Sequence, residues 1–521
     1  VTGPEGNTVR ALLLLILLLS LAGCASQPAP APSHATAPAD SSLGRQVQRL
    51  AAAQPEGHSG LRLLPESSEA FAARAELFRA ARRSLDIQYY IVHDGLSTRL
   101  LVDELLRAAD RGVRVRLLLD DTTSDGQDYR IATLAAHPNV QIRVFNPLRA
   151  GRSNPVTRTL GRLLHLSQQH RRMHNKLLLV DSSLAIVGGR NLGDEYFDAD
   201  RSLNFTDIDL LAAGPVARQL ADSFDQYWNH QLSVPIQHFF WRPPARHKLS
   251  EAREQLQQYL QQARRDDGPL YRRLIRYQRE PQLQRWLDEL IWAPAAALWD
   301  DPDKLLADGP PTQLLTTQLA PALTAVQDEL MLVSAYFVPT DSGVDYLAER
   351  HRDGVTIRIL TNSLEATDVP AVHGGYAPYR RRMLEQGVQL FELRRQPDQK
   401  SSYSFFGESE SSLHSKAAVF DRKRVFIGSL NFDPRSVLWN SEVGILAQSP
   451  TLAREVHRLT LEGMAPASSY EVKLARRGDT RQLVWIAEEQ GRRIVLEREP
   501  GGFWRRLNAW LADVVGLERM L

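Results

Sequence analysis

Hydrophobic and polar positions along the chain follow two periods that alternate in a fixed order. Residues 84–94 (SLDIQYYIVHD) form a run suited to a strand. The stretch LSTRLLVDELLRAADRG then spaces its apolar positions as one helix face requires, and VRVRLLLDD returns to a short apolar run. The same order recurs in ELMLVSAYFVP (329–339), VDYLAERHRDG and VTIRILTNS. Each unit reads strand–helix–strand, with Gly112 and Gly354 where helix C-caps are expected. This grammar predicts an α/β fold, a mostly parallel or mixed sheet flanked by helices.

Each unit is completed by a segment of one type. HNKLLLVDSSLAIVGGRN (174–191) and HSKAAVFDRKRVFIGSLN (414–431) align as H-x-K-x4-D-x6-G-[GS]-x-N. Matched positions at one spacing, after matched units, indicate an internal duplication. The expected body has two lobes, 60–240 and 307–465, packed about a pseudo-twofold with one shared active site.

Between the lobes, residues 241–306 carry amphipathic patterns (LSEAREQLQQYLQQARR, PQLQRWLDELIWA) and are predicted to be a helical insertion or linker. Residues 466–521 are predicted to form three short strands, YEVKLARR, QLVWIAEE and RRIVLERE, and a closing amphipathic helix. Phe503, Leu507, Trp510, Leu511, Val514 and Leu521 fall near one face of that helix, with Arg505, Arg506 and Asp513 off it. That face is expected to pack on the sheet; the Trp and Arg residues also suit an interfacial helix touching lipid.

Ala11–Leu19 is an apolar run too short to span a bilayer, which needs ~20 residues. It matches the apolar core of a secretory signal. Leu21-Ala22-Gly23-Cys24 resembles the lipobox of bacterial lipoproteins, which implies cleavage before Cys24 and lipidation of its thiol. Cys24 is the only cysteine, so no intramolecular disulfide forms. Signal 1–24 is followed by a Pro/Ala-rich tether over 25–45. The expected location is the bacterial cell envelope, anchored and facing away from the cytoplasm, on the outer membrane if the organism has one. Lys and Arg (63) nearly balance Asp and Glu (61), which gives no support to a general polyanion binder.

Alternate side chains of a strand share a face, so His174 and Lys176 emerge side by side at a strand end anchored by leucines. Asp181-Ser182-Ser183 supplies a turn. Gly188 and Gly189 let the backbone approach a neighbour or ligand. His414, Lys416, Asp421, Gly428, Ser429 and Asn431 repeat the pattern. A pseudo-twofold would gather two His, two Lys, Asn191 and Asn431 in one pocket. Buried lysines are costly without an anion, and phosphate is the natural occupant. One imidazole can then attack phosphorus while the other protonates the leaving alcohol, with Lys and Asn binding phosphate oxygens. Asp181 and Asp421 complete the candidate catalytic set, read as fixing the turn rather than moving protons. No metal or cofactor is implied: HExxH, a Cys cluster and a P-loop are all missing from the sequence, and DDTTSD (120–125) reads as a loop.

The paired segments resemble the two HKD motifs of the phospholipase D superfamily. TDIDLLAAG (206–214) and WNSEVGIL (439–446) are similar to the acidic segments that follow them. The resemblance implies that Asp207 orients His414 and Glu442 orients His174, each across the lobe boundary, and that His174 is the nucleophile. From about Leu61 onward the chain resembles bacterial cardiolipin synthases of the C type, in SLDIQYYIVHD, the AYFVP run and the FWRRL…VGLERML helix. Val515 to Glu518 depart from the Leu-Pro-Ile-Glu run associated with that group. The implied reaction transfers a phosphatidyl group, from phosphatidylglycerol or phosphatidylethanolamine, to phosphatidylglycerol at a membrane surface. Hydrolysis to phosphatidic acid is the alternative, and balanced charge argues against a nucleic-acid substrate.

Overall fold

The computed structural model describes residues 31–124, 126–148, 152, 169–306, 313–395 and 410–514. Cys24 with its signal, and the closing VGLERML run that includes Leu521, lie outside them. The compact unit begins at His34.

Most of its strands form one continuous mixed sheet. The first lobe contributes β1 (His58–Leu64), β2 (Ser84–Tyr89), β3 (Arg114–Asp120), β4 (Val140–Phe145), β5 (Leu177–Val180), β6 (Leu184–Gly188) and β7 (Asp209–Ala213). Next come β8 (Ile291–Trp299), β9 (Glu329–Ser334), β10 (Thr356–Asn362), β11 (Gln389–Leu393), β12 (Lys416–Phe420), β13 (Arg424–Gly428) and β14 (Val443–Ala447). Hydrogen bonding orders the first half β4-β3-β2-β5-β6-β7-β1. The second half runs β8-β14-β13-β12-β9-β10-β11. The β1–β8 pair joins them. Within each half the three outer strands are parallel and the rest antiparallel, so β8 stands in the second lobe where β1 stands in the first.

That equivalence corrects the reading of 241–306 as wholly helical. The segment holds a long helix, but ends in β8, the first strand of the second lobe. Leu287, Leu290 and Ile291 continue the helical apolar period into the strand, which hid the change. Pro294 sits where β8 changes partner from β1 to β14, so its missing N–H falls at the switch.

Alternation along the central strands divides the core in three. Leu178, Val180 and Ile186 face an outer core of the first lobe. Ala418, Phe420 and Phe426 face that of the second. Leu177, Leu179, Val187, Ala417, Val419 and Ile427 meet in a central core shared by both lobes. Helices α1 (Leu96–Asp110) and α2 (Asp128–Leu134) cover the first outer face; α3 (Pro215–Asn229) lies in the centre; α4 (Arg246–Asp266), from the intervening segment, packs over α1 and α2.

Three antiparallel strands, β15 (Ser469–Arg477), β16 (Thr480–Glu489) and β17 (Arg492–Leu496), extend the second half beyond β11. The closing helix α6 (Phe503–Val514) lies against α5 (Pro370–Tyr376). Here the structure reverses the expectation that the apolar face packs on the sheet. The contact uses small residues: Ala509 is buried, and a Cβ on Gly374 would meet the Ala509 carbonyl at 2.2 Å. Phe503 (67%), Trp504 (73%) and Trp510 (56%) are exposed.

Candidate active site at the lobe boundary

The site is built by two short parallel strand pairs that cross between lobes. Arg172–Met173 pairs with Asn440–Ser441, so the next residues along each chain, His174 and Glu442, fall opposite one another. Glu410–Leu413 pairs with Leu203–Thr206, which does the same for His414 and Asp207. The His174 N–H donates to the Ser441 carbonyl at 2.9 Å and the His414 N–H to the Thr206 carbonyl at 2.8 Å. Backbone register, before any side chain acts, therefore brings each histidine to the other lobe's acid.

His174 Nδ1 lies 2.9 Å from Glu442 Oε2, and His414 Nδ1 lies 2.7 Å from Asp207 Oδ2. With Nδ1–H donated to a carboxylate, the imidazole presents Nε2 with a lone pair. Tyr90 packs edge-on against His174 at 4.9 Å between ring centres, and Tyr196 and Phe205 flank His414 at 5.3 and 5.1 Å. Lys176 Nζ donates to the His174 carbonyl at 2.7 Å, and Lys416 Nζ to that of His414. Each lysine thus folds back on its own strand end and has further N–H bonds to give. Both lysines and both histidines are almost wholly buried.

Electrostatics tie the two halves into one pocket. Burial, then the charges of Lys176, Lys416 and Arg435, hold the His174 imidazole well below its ordinary value. Burial and the same two lysines do so for His414. Burial also lowers both lysines, against the pull of Glu442 and Asp207. The carboxyls go the other way: burial pushes Glu442 up to about 7 and Asp207 up to about 6, with Lys176 restraining the first and Lys416 the second. Burial beside two lysines therefore disfavours an imidazolium at either position. A bound phosphodiester anion would restore the missing negative charge and raise the imidazoles.

The glycines of the repeated segment serve these acids. A Cβ on Gly189 would lie 2.3 Å from the Asp207 carboxylate, and one on Gly188 would lie 2.2 Å from that of Asp209. In the second copy, Ser429 donates its hydroxyl to Glu442. The Glu442 N–H donates to Asp300 at 2.9 Å, and Asp300 is paired with Lys304 at 2.9 Å.

Asp181 and Asp421, included in the catalytic set but read as fixing the turn, lie away from the two histidines. They begin the turns at the far ends of β5 and β12, where Asp181 and Ser182 have φ of 51° and 50°, and Asp421 and Arg422 have 54° and 53°. Two successive left-handed residues make the tight hairpin turn that suits strand twist. The Asp181 carboxylate accepts N–H groups of Arg82, Arg83 and Ser84, and Asp421 those of Gln327, Asp328 and Glu329. Asn191 is largely engaged as well: its Oδ1 accepts the Ile91 N–H at 3.1 Å and its amide donates to the Tyr196 hydroxyl at 2.9 Å, steadying the ring beside His414. Asn431 Oδ1 is buried without a hydrogen-bond partner among the described residues.

Residues not singled out in the sequence complete the walls. Asp120, read there as part of a loop, accepts the Met173 N–H at 3.0 Å and holds the approach to His174. Its place at the end of β3 was the available signal. Asp433, pushed up to about 7 by burial, and Arg435 follow Asn431. Asp368 accepts the Tyr336 hydroxyl at 2.8 Å beside His414 and Lys416.

Known proteins align over most of this body. A family described as "Cardiolipin synthase, PLD-like domain" matches residues 75–228 and 319–461. Cardiolipin synthase C of Escherichia coli (strain K12) is 39% identical over 475 residues, 90% of this chain and 97% of that protein. Cardiolipin synthase A of Pseudomonas fluorescens (strain SBW25) is 26% identical over 435 residues, 83% of this chain and 74% of that protein. The crystal structure of a phosphatidylserine synthase from Haemophilus influenzae Rd KW20 superposes with a TM-score of 0.53 at 15% identity, covering 82% of this chain and 92% of that one.

Proposed function

The chain belongs to the phospholipase D-like cardiolipin synthase family, and from that membership we propose that it joins a phosphatidyl group to phosphatidylglycerol, releasing cardiolipin. The observation that carries the reading is the crossed pairing of His174 with Glu442 and His414 with Asp207 around two buried lysines.

His174 Nε2 attacks the donor phosphorus, and the phosphorus–oxygen bond to the headgroup alcohol breaks. His414, protonated once the anion is bound, gives its proton to the leaving oxygen. Glycerol leaves if the donor is phosphatidylglycerol, ethanolamine if it is phosphatidylethanolamine. The headgroup hydroxyl of a second phosphatidylglycerol then attacks the phosphohistidine, His414 takes its proton, and the phosphorus–nitrogen bond breaks. Lys176 and Lys416, with Asn431, bind the non-bridging oxygens as charge builds on them. Glu442 and Asp207 keep Nδ1–H in place and stabilise whichever imidazole is positive.

The substrates are phospholipids. No helix among the described residues is long and apolar enough to cross a membrane. The reading for membrane contact rests instead on the outward apolar face of α6 and on lipidation at Cys24, where the only thiol of the chain meets a lipobox.

The test is to incubate purified protein with labelled phosphatidylglycerol, with and without phosphatidylethanolamine, and resolve the lipids. Labelled cardiolipin is expected. Phosphatidic acid as the sole product would replace transfer with hydrolysis, and no lipid turnover would overturn the proposal.

A further inference from the structure

A cavity of about 520 Å³ lies in the first lobe, next to the candidate active site but separate from it. Leu101 and Leu105 of α1, Leu117 of β3, Leu134 of α2, and Leu249 and Leu256 of α4 line it. Its lining also includes Val92 and Leu192, which are bridged to each other. Their chain neighbours belong to the site: Asn191 precedes Leu192, and Tyr90, against His174, stands two residues before Val92. The cavity is therefore linked to the site through these two short chain segments.

Apolar side chains left uncovered in a concave pocket are a place where an apolar ligand gains by leaving water. This one opens to solvent at its rim, is lined mainly by apolar side chains within, and has a volume inside the roughly 300–1,000 Å³ of ligand pockets. The lining runs from Thr98 to Leu106 on α1 and from Lys248 to Leu256 on α4, roughly 12 Å of each helix. A slot between two helices suits an extended chain better than a compact ring. Charged residues at the rim are already matched: Arg99 and Arg130 with Asp94, Lys248 with Glu251, Arg253 with Asp110. The rim thus offers little to an ionic ligand.

We infer that this cavity holds one long alkyl chain of a lipid. The chain comes either from the phospholipid undergoing transfer, in which case the inference rests on the proposed function, or from a separate lipid or fatty acid.

Titration of the whole protein with cis-parinaric acid, a fluorescent fatty acid, tests it. Saturable binding is expected, weakened at least tenfold by Leu105→Trp and by Leu256→Trp, with circular dichroism and melting temperature as controls for folding. Leu256→Trp, on the covering helix, keeps the test open if Leu105→Trp does not fold. No saturable binding, or equal binding by folded variants, would overturn the inference. A KM that rises for long-chain but not short-chain phosphatidylglycerol assigns the slot to the substrate's own chain. Unchanged KM with lost probe binding assigns it to a separate lipid. Probe binding needs no turnover, so failure of cardiolipin synthesis leaves this test standing.

Discussion

His174 and Glu442 come from different lobes, yet their side chains meet at 2.9 Å because the strand residues just before them are paired in register. His414 and Asp207 repeat the relationship. Neither lobe alone can hold its own histidine. Glu442→Gln and Asp207→Asn should therefore each lower kcat about 10²-fold or more, the scale of acid–base catalysis, while leaving KM and secondary structure nearly unchanged. Steady-state kinetics with circular dichroism check this; near-full kcat in either variant would remove the orienting role.

Much of this was legible from residues. The repeated H-x-K segments and the strand–helix–strand units exposed the duplication, because buried strands and their leucines leave a local pattern. The start of the second lobe was not legible. Ile291–Trp299 is apolar in both parities and follows a helix without a break in period, so only its pairing with His58–Leu61 and Val443–Ala447 reveals it. Nor could a helical wheel tell which side of α6 is covered, since the contact is made by Gly374 and Ala509 rather than by its large apolar residues. The charge state of the pocket depends on burial from both lobes at once, and no single segment records that.

The raised carboxyls set a pH dependence. Glu442, at about 7 against an ordinary 4.5, is protonated as pH falls through 7 and then no longer offers His174 a negative charge. The acid limb of kcat/KM should lie near pH 6–7, and Glu442→Gln should move it toward the value of about 6 held by Asp207. The stability sign is opposite to that of a salt-bridged acid. A raised folded pKa favours the folded state at low pH, and that advantage is lost between 4.5 and 7. Glu442→Gln should change the melting temperature more favourably at pH 8 than at pH 5. A difference of the reverse sign would contradict the buried-carboxyl account.

The two histidines should separate when the leaving group needs no proton. With a p-nitrophenyl phosphodiester, His414→Ala should still form a phosphohistidine, seen as a burst of nitrophenolate, while His174→Ala should form none. On phosphatidylglycerol both should lose at least about 10²-fold in turnover. A burst in His174→Ala and its loss in His414→Ala would exchange the two roles.

Asp181 should act on stability rather than chemistry. Its buried carboxylate accepts N–H groups from Arg82, Arg83 and Ser84 at the far end of β5 from Lys176. Asp181→Ala leaves those donors without their acceptor, a loss of about 2 kcal/mol or more. Denaturant unfolding should show it, with turnover per folded molecule within about twofold of wild type. A large fall in kcat without loss of stability would return Asp181 to the catalytic set.

The exposed face of α6 should bind lipid. Arg505 ties the helix to the loop beside the site, donating to the Leu364 and Thr367 carbonyls at 3.2 and 2.6 Å, and Asp368 of that loop bears on His414 and Lys416. Phe503, Trp504, Trp510 and Leu511 project from it into solvent. Burying one such side chain is worth about 1.5–3 kcal/mol, so the double variant Trp504→Ser, Trp510→Ser should lose well over tenfold in affinity for phosphatidylglycerol vesicles. Because both side chains are exposed, folding and turnover of a soluble short-chain substrate should be unchanged. Co-sedimentation and the blue shift of tryptophan fluorescence read the effect. If the face instead joins two copies of the chain, the variant will alter the sedimentation coefficient while vesicle binding stays as it was, and the lipid-facing reading of α6 falls.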